Sequence, residues 1–205
     1  MTVMNPVGKL VESQFSRPNL GVAVLFFALP FLLQVFFWFV FGVQANFGAF
    51  ILRTIIPAVM TWVVSAALLY VLLIGFKGKS AIGSFMPVLS ALPVFNLVYF
   101  LGLLFMSAVF FFAAPQFFQA RGISQYEVTS ISYSIASNPQ PVHWLLLIAG
   151  ILMGLMVMAS YFYIVAKIGR VVKDTGAFSD TMLAVVFAAM SFTVFTLLTI
   201  GFSGL

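Results

Sequence analysis

The sequence predicts an all-α fold, a polytopic integral membrane protein whose five transmembrane helices form one bundle with short amphipathic interfacial helices. Hydrophobic residues make up 63% of the 205 residues and charged residues only 6%, whereas soluble domains carry about 25% charged residues. Nine Lys+Arg and four Asp+Glu are too few to cover the surface of a water-soluble globule. The apolar residues also gather in five long stretches, and none of these alternates with the two-residue period of a membrane barrel strand.

Five stretches reach the length of about 20 mostly apolar residues that a bilayer-crossing helix needs. We predict spans at residues 20–41, 51–76, 94–114, 142–166 and 181–201, so that residues 1–205 form a single transmembrane domain. Within lipid, only helices and closed barrels satisfy their own backbone hydrogen bonds. Because the barrel pattern is absent, each stretch is predicted to be a helix.

Two short segments outside the spans have amphipathic helical patterns. The first ends before Pro18 and is predicted to lie either in the membrane interface or beneath the bundle. The second covers residues 80–92, just before Pro93. It is predicted to form either a separate interfacial helix or the kinked beginning of the third span.

The positive charges predict the orientation of the chain. If the N-terminus lies inside, seven of the nine basic residues fall on the inner side, and only Arg53 and Arg121 fall outside. Inner loops of membrane proteins carry such an excess of Lys and Arg. We therefore expect a cytoplasmic N-terminus and an outer C-terminus, in the plasma membrane if the protein is prokaryotic. The polar connection at 115–141 lies on the outer side, and its role stays open.

The ionisable residues do not form a recognisable catalytic or metal site. Cysteine is absent and His143 is the single histidine, so the chain lacks the usual ligands of a zinc site. Asp180 precedes the fifth span, where a carboxylate favours the positive end of the helix dipole. We expect no enzymatic activity and no cofactor, and the scattered basic residues argue against nucleic-acid binding.

The basic residues of the inner loops are candidates for contact with anionic lipid headgroups. The alternative is that their charges only determine the topology. These residues are Lys77, Lys79, Lys167, Arg170 and Lys173.

Four uncharged residues within the spans are candidates for contacts between helices. Gln34 and Asn96 are the most costly to leave unpaired in lipid, so they are predicted to hydrogen-bond across helices or to line a path for a substrate. Gly150 and Gly154 form a G-x-x-x-G pattern, which predicts close helix packing, either within one chain or between two copies.

Several short motifs follow one another in a distinctive order. They are Asn5-Pro6, Arg17-Pro18-Asn19-Leu20, Gly78-Lys79 with Ser84-Phe85, Leu92-Pro93, and a basic loop at 167–173 followed by Gly176. This order resembles the Yip (Ypt/Rab-interacting protein) domain family of five-pass membrane proteins, in its compact prokaryotic form. The resemblance implies five helices with the N-terminus in the cytoplasm and the C-terminus outside.

Eukaryotic members of the Yip family are associated with vesicle trafficking, Rab-type GTPases and membrane shaping. The present chain lacks their long acidic N-terminal region and their Asp-Leu-Tyr-Gly-Pro type motif, so GTPase binding is not carried over. The resemblance implies a non-enzymatic protein that organises membrane or recruits partners through its inner face. Its partners would be the lipid bilayer and other membrane proteins or further copies of itself.

Two other functions fit the same sequence. The first is a small transporter or pore for a neutral or lipidic solute, with a polar path through Gln34 and Asn96. The second is an accessory subunit of a larger membrane complex.

Overall fold

The computed structural model describes residues 4–41, 46–113 and 140–203, together with Tyr133, Ser137 and Asn138. The predicted all-α fold is confirmed, because no strand occurs in these ranges and five helical stretches are long and apolar enough to cross a membrane. The polar connection at 115–141 lies almost entirely outside the described residues.

Eight α-helices are described, and one of them continues from a π-helical turn. Helix α3, the π turn at Ile51–Ile55 and α4 follow without a break and together form the second span. The helices are α1 (Met4–Ser16), α2 (Leu20–Phe41), α3 (Phe47–Phe50), α4 (Ile56–Lys77), α5 (Met86–Ala91), α6 (Val94–Ala113), α7 (Pro141–Val172) and α8 (Ala177–Ser203).

Several helices extend beyond the apolar stretches that predicted them. The fourth span was expected to end at residue 166, but α7 continues to Val172. The extension carries Lys167 and Arg170, whose charged groups are accommodated by ion pairs with other segments. A helix ends where its backbone geometry changes, as at Gly78 with a φ of 88°, and not where the lipid ends.

The surface of the bundle is apolar. At most 28% of the most hydrophobic stretch of any span is buried within the protein. Large side chains such as Phe39, Leu155 and Phe192 are exposed around the helices. Such a surface matches a hydrocarbon solvent, which supports the assignment of the chain to the membrane.

The packed core lies at one end of the bundle. We call this the basic end, where α4 and α7 finish and α2, α6 and α8 begin. Fully buried side chains from α1, α4, α5, α7 and α8 meet there, and they include Val11, Leu69, Leu73, Val88, Ile164, Ile168, Leu183 and Phe187.

Helix α1 lies beneath the bundle, which decides between the two predicted positions. Val11 is fully buried, and Glu12 forms an ion pair of 2.5 Å with Lys167 of α7. Gly8 lies so close to Tyr163 that a Cβ at position 8 would be 2.5 Å from the tyrosine hydroxyl. The apolar face of α1 therefore packs on protein, not on lipid.

Helix α5 forms the kinked beginning of the third span. Val88 and Ala91 are fully buried, and the Leu92 amide donates to the Val88 carbonyl at 3.1 Å. Pro93 interrupts the helix before α6 begins at Val94. Of the two predicted alternatives, the structure therefore excludes a separate helix in the membrane interface.

Candidate functional site

A cavity of about 1070 Å³ opens among α2, α4, α6, α7 and α8. Its volume reaches the upper limit of typical small-molecule sites, which enclose roughly 300–1,000 Å³. Its wall is rich in aromatic side chains, namely Phe27, Phe31, Trp62, Phe95, Tyr99, Tyr161, Phe162, Phe192 and Phe195. The basic end below it is closed by the packed core.

Two prolines on neighbouring helices shape this cavity. Pro30 of α2 and Pro57 of α4 both line it. Pro57 has no amide hydrogen to donate to the Arg53 carbonyl, and the backbone at Ile51–Ile55 widens into the π turn instead. One turn later, the Thr61 hydroxyl donates a hydrogen bond to the Pro57 carbonyl at 2.8 Å. The π turn carries Arg53 and Thr54, which line the cavity.

The aromatic wall is held in place by specific contacts. Trp62 stacks on Phe27 with ring centroids 4.9 Å apart, and its indole N–H donates to the Leu89 carbonyl at 3.1 Å. Trp62 is therefore a packing residue in mid-span. Tyr161 stacks on Phe187 at 5.6 Å and meets Phe95 edge-on. The cavity wall at Tyr161 therefore packs directly on the buried core.

Polar groups are sparse along the wall. Asn96 is half-buried and lines the cavity, and its side chain makes no hydrogen bond to another described residue. Ser191 Oγ is buried beside the Tyr161 hydroxyl, without a hydrogen bond of regular geometry. Among the described lining residues, Arg53 alone carries a charge.

The structure separates the two predicted polar residues, because Asn96 lines the cavity and Gln34 does not. Gln34 is exposed on α2 and does not line the cavity. The neighbouring Leu33 is buried and takes the inward position at this level of the helix. Gln34 and Asn96 therefore do not form a shared polar path.

The predicted contact at Gly150 and Gly154 is also not found within the described chain. Both glycines are exposed on α7, and a Cβ added at either would have no described atom within 4 Å. The close helix contact of α7 lies at Gly169, where an added Cβ would be 2.8 Å from Leu183 Cδ2. Packing at Gly150 and Gly154 within one chain is therefore not found among the described residues, and a contact between two copies stays a prediction.

A buried ion pair joins α4 to α8 at the basic end. Lys77 Nζ donates to Asp180 Oδ1 at 2.6 Å, with side-chain exposures of 0% and 1%. Lys77 also donates to the Thr175 hydroxyl, and Arg170 Nε donates to Asp180 Oδ2 at 3.2 Å. Asp180 was predicted to precede the fifth span and lies in the first turn of α8, which begins earlier, at Ala177. It also balances two cations.

This cluster corrects the predicted headgroup contacts. Lys77 is enclosed by protein and cannot reach lipid headgroups. Lys167 is 23% exposed and pairs with Glu12, and Arg170 pairs with Asp180 while remaining 52% exposed. Lys79 and Lys173 are exposed at the basic end. The residues that remain candidates for headgroup contact are Lys79, Lys173 and the exposed part of the Arg170 side chain.

Sequence reasoning missed the buried ion pair and the position of Arg53 in the cavity wall. Lys77 and Asp180 are separated by 103 positions, and no local pattern links them. For Arg53, the available signal was Pro57 four residues later, because a proline inside an apolar span frees a carbonyl and widens the helix. Within the described residues, no group of three metal-binding side chains occurs.

Comparison of the chain with known protein families, with curated proteins and with solved structures finds no match. The resemblance to the Yip family therefore stays a prediction.

Proposed function

We propose that this chain is a non-enzymatic, multi-pass membrane protein that binds a lipidic solute in the cavity between its helices. The observation that carries the proposal is an aromatic-lined cavity of about 1070 Å³ within a bundle whose outer surface is itself apolar. A solute dissolved in the bilayer reaches such a cavity without leaving hydrocarbon. In the cavity, the apolar surface of the solute makes van der Waals contacts with fixed aromatic side chains. In the bilayer it contacts mobile lipid chains, which pack against it less regularly.

The position of Trp62 allows binding to be measured directly. A Trp38→Phe/Trp144→Phe variant keeps Trp62, in the cavity wall, as its single tryptophan. We expect a brominated monoacylglycerol, added at low mole fraction to nanodiscs of unbrominated phosphatidylcholine, to quench Trp62 saturably. Filling the cavity by Ala58→Phe/Ala188→Phe in this background should weaken the apparent affinity roughly tenfold, or about 1.4 kcal/mol.

Matched substitutions separate cavity binding from contact with bulk lipid. Val59→Phe/Ala189→Phe places the same two side chains at the neighbouring exposed positions, and we expect wild-type quenching from it. If the cavity-filling and surface variants are quenched alike, the probe reaches Trp62 from bulk lipid. That result would contradict the proposed binding function.

Membrane organisation through the basic end is a second candidate function. It is favoured by the exposure of Lys79 and Lys173 and by the half-exposed Arg170. Basic side chains near a leaflet rich in anionic lipids attract it by about 1 kcal/mol each. This function requires the basic end to face the cytoplasm, as the excess of positive charge there supports.

The orientation predicts that the two chain termini lie in different compartments. Five spans and an excess of positive charge at the basic end support an orientation with Met1 inside and Leu205 outside. We expect a tag at Met1 to be protected from protease in intact cells or spheroplasts, and a tag at Leu205 to be cleaved. Cleavage at Met1 together with protection at Leu205 would remove the membrane-organising candidate.

A further inference from the structure

Arg53 lines the cavity and is exposed. It lies towards the end of the bundle opposite the basic end, and we call this end of the cavity its mouth. The helix from residue 53 to residue 77 extends about 36 Å at 1.5 Å per residue. This length slightly exceeds the hydrocarbon core, which is roughly 30 Å thick. With Lys77 at one boundary of the apolar layer, Arg53 is therefore at the other, where a polar headgroup resides.

The charge of Arg53 is not balanced by any described residue. Every acid that the structure describes, namely Glu12, Asp174 and Asp180, lies at the basic end. The Arg53 guanidinium forms no ion pair or hydrogen bond with a described residue, although Arg53 lines the cavity. A guanidinium presents a planar set of donors that matches a carboxylate or a phosphate with two parallel hydrogen bonds.

Beyond this charged mouth the cavity becomes apolar. Its wall along α4 continues from Arg53 to Ser65, which is about 18 Å of helix. Trp62 belongs to this stretch, and Phe31 of α2 and Phe192 of α8 line the cavity with it. One cation followed by an elongated aromatic enclosure matches a molecule with one anionic end and one hydrocarbon end.

Resting on the proposed binding function, we infer that the ligand is an anionic amphiphile. Its carboxylate or phosphate binds the Arg53 guanidinium at the mouth, and its hydrocarbon chain occupies the aromatic part of the cavity. A neutral amphiphile fills the same apolar space but leaves the guanidinium to interfacial water. Charge at the headgroup is thus the property by which the cavity selects its ligand.

Three brominated probes with the same acyl chain test this selection in the variant with Trp62 as its single tryptophan. They are a free fatty acid at a pH where its carboxylate is ionised, a lysophosphatidic acid, and a neutral monoacylglycerol. We expect at least one anion to bind roughly tenfold more tightly than the neutral probe, as one charge-assisted hydrogen-bonded pair would provide. Preference for the carboxylate would identify a fatty acid, and preference for the phosphate a phospholipid.

Substitutions at two arginines assign the preference to the cavity mouth. Arg53→Gln should remove the difference between anionic and neutral probes, and Arg53→Lys should keep part of it. Arg17→Gln changes an exposed arginine at the basic end and should keep all of it. Saturable binding of the neutral probe with equal affinity for the anions would overturn this inference while leaving the binding function intact. An anion preference that survives Arg53→Gln would overturn it as well.

Discussion

Replacing Asp180 by asparagine is expected to lower the free energy of unfolding by about 3–5 kcal/mol, the usual cost of leaving one partner of a buried ion pair without its counter-charge. The Lys77 ammonium is fully enclosed, and Asp180 provides its carboxylate at 2.6 Å. An asparagine can accept a hydrogen bond but cannot balance the charge. Arg170 would then add a second cation near the same site.

The measurement is reversible unfolding in mixed micelles by titration with SDS, followed by circular dichroism. Glu12→Gln is the matched control, because it breaks an ion pair of 2.5 Å whose side chains are 23% and 49% exposed. Partly exposed pairs contribute at most about 1 kcal/mol. Equal losses for Asp180→Asn and Glu12→Gln would show that burial does not strengthen the Lys77–Asp180 pair.

A double substitution separates charge balance from packing. Lys77→Met/Asp180→Leu removes both charges and keeps apolar volume, and such replacements of buried pairs are often neutral or stabilising. We expect most of the stability lost in Asp180→Asn to return. A double variant as unstable as the single one would indicate that the hydrogen bonds to Thr175 and Arg170 matter more than the charge.

The spans were predictable because their cause is local. A helix in lipid needs a continuous apolar stretch, and continuity can be read from consecutive residues. Helix α8 includes Asp180 in its first turn, and the same reasoning placed this residue directly before the fifth span. It could not find Lys77 as its partner, because that contact depends on how α4 and α8 pack.

Which face of a helix turns inward was the harder question. Gln34 and Asn96 are equally polar, yet one is exposed and the other lines the cavity. In lipid both faces of a span are apolar, so hydrophobic periodicity does not separate inside from outside. Pro57 is a better guide, because the π turn that precedes it carries Arg53 and Thr54 into the cavity wall.

Replacing Gly169 by valine is expected to destabilise the fold by about 1–3 kcal/mol, the range for overpacking a filled core. Helices α7 and α8 approach closely here, and even a single Cβ would be 2.8 Å from Leu183 Cδ2 and 3.4 Å from Asp180 Oδ1. Leu183 is fully buried, so it has little room to move. The two further methyl groups of valine would also press on the ion pair.

The control for this prediction lies on the same helix. Gly154→Val makes the same change where an added Cβ meets no described atom within 4 Å, so we expect it to unfold at the same SDS concentration as the unmodified protein or a higher one. Glycine is itself a poor helix former, by roughly 1 kcal/mol relative to alanine. Stability lost at Gly154 but not at Gly169 would place the close contact of α7 at the G-x-x-x-G pattern.

Because Gly169 lies beside Leu183 and Asp180, its loss should also weaken the coupling between α7 and α8. The Asp180→Asn substitution should then cost less in the Gly169→Val background than alone, as expected for two changes that disturb one contact.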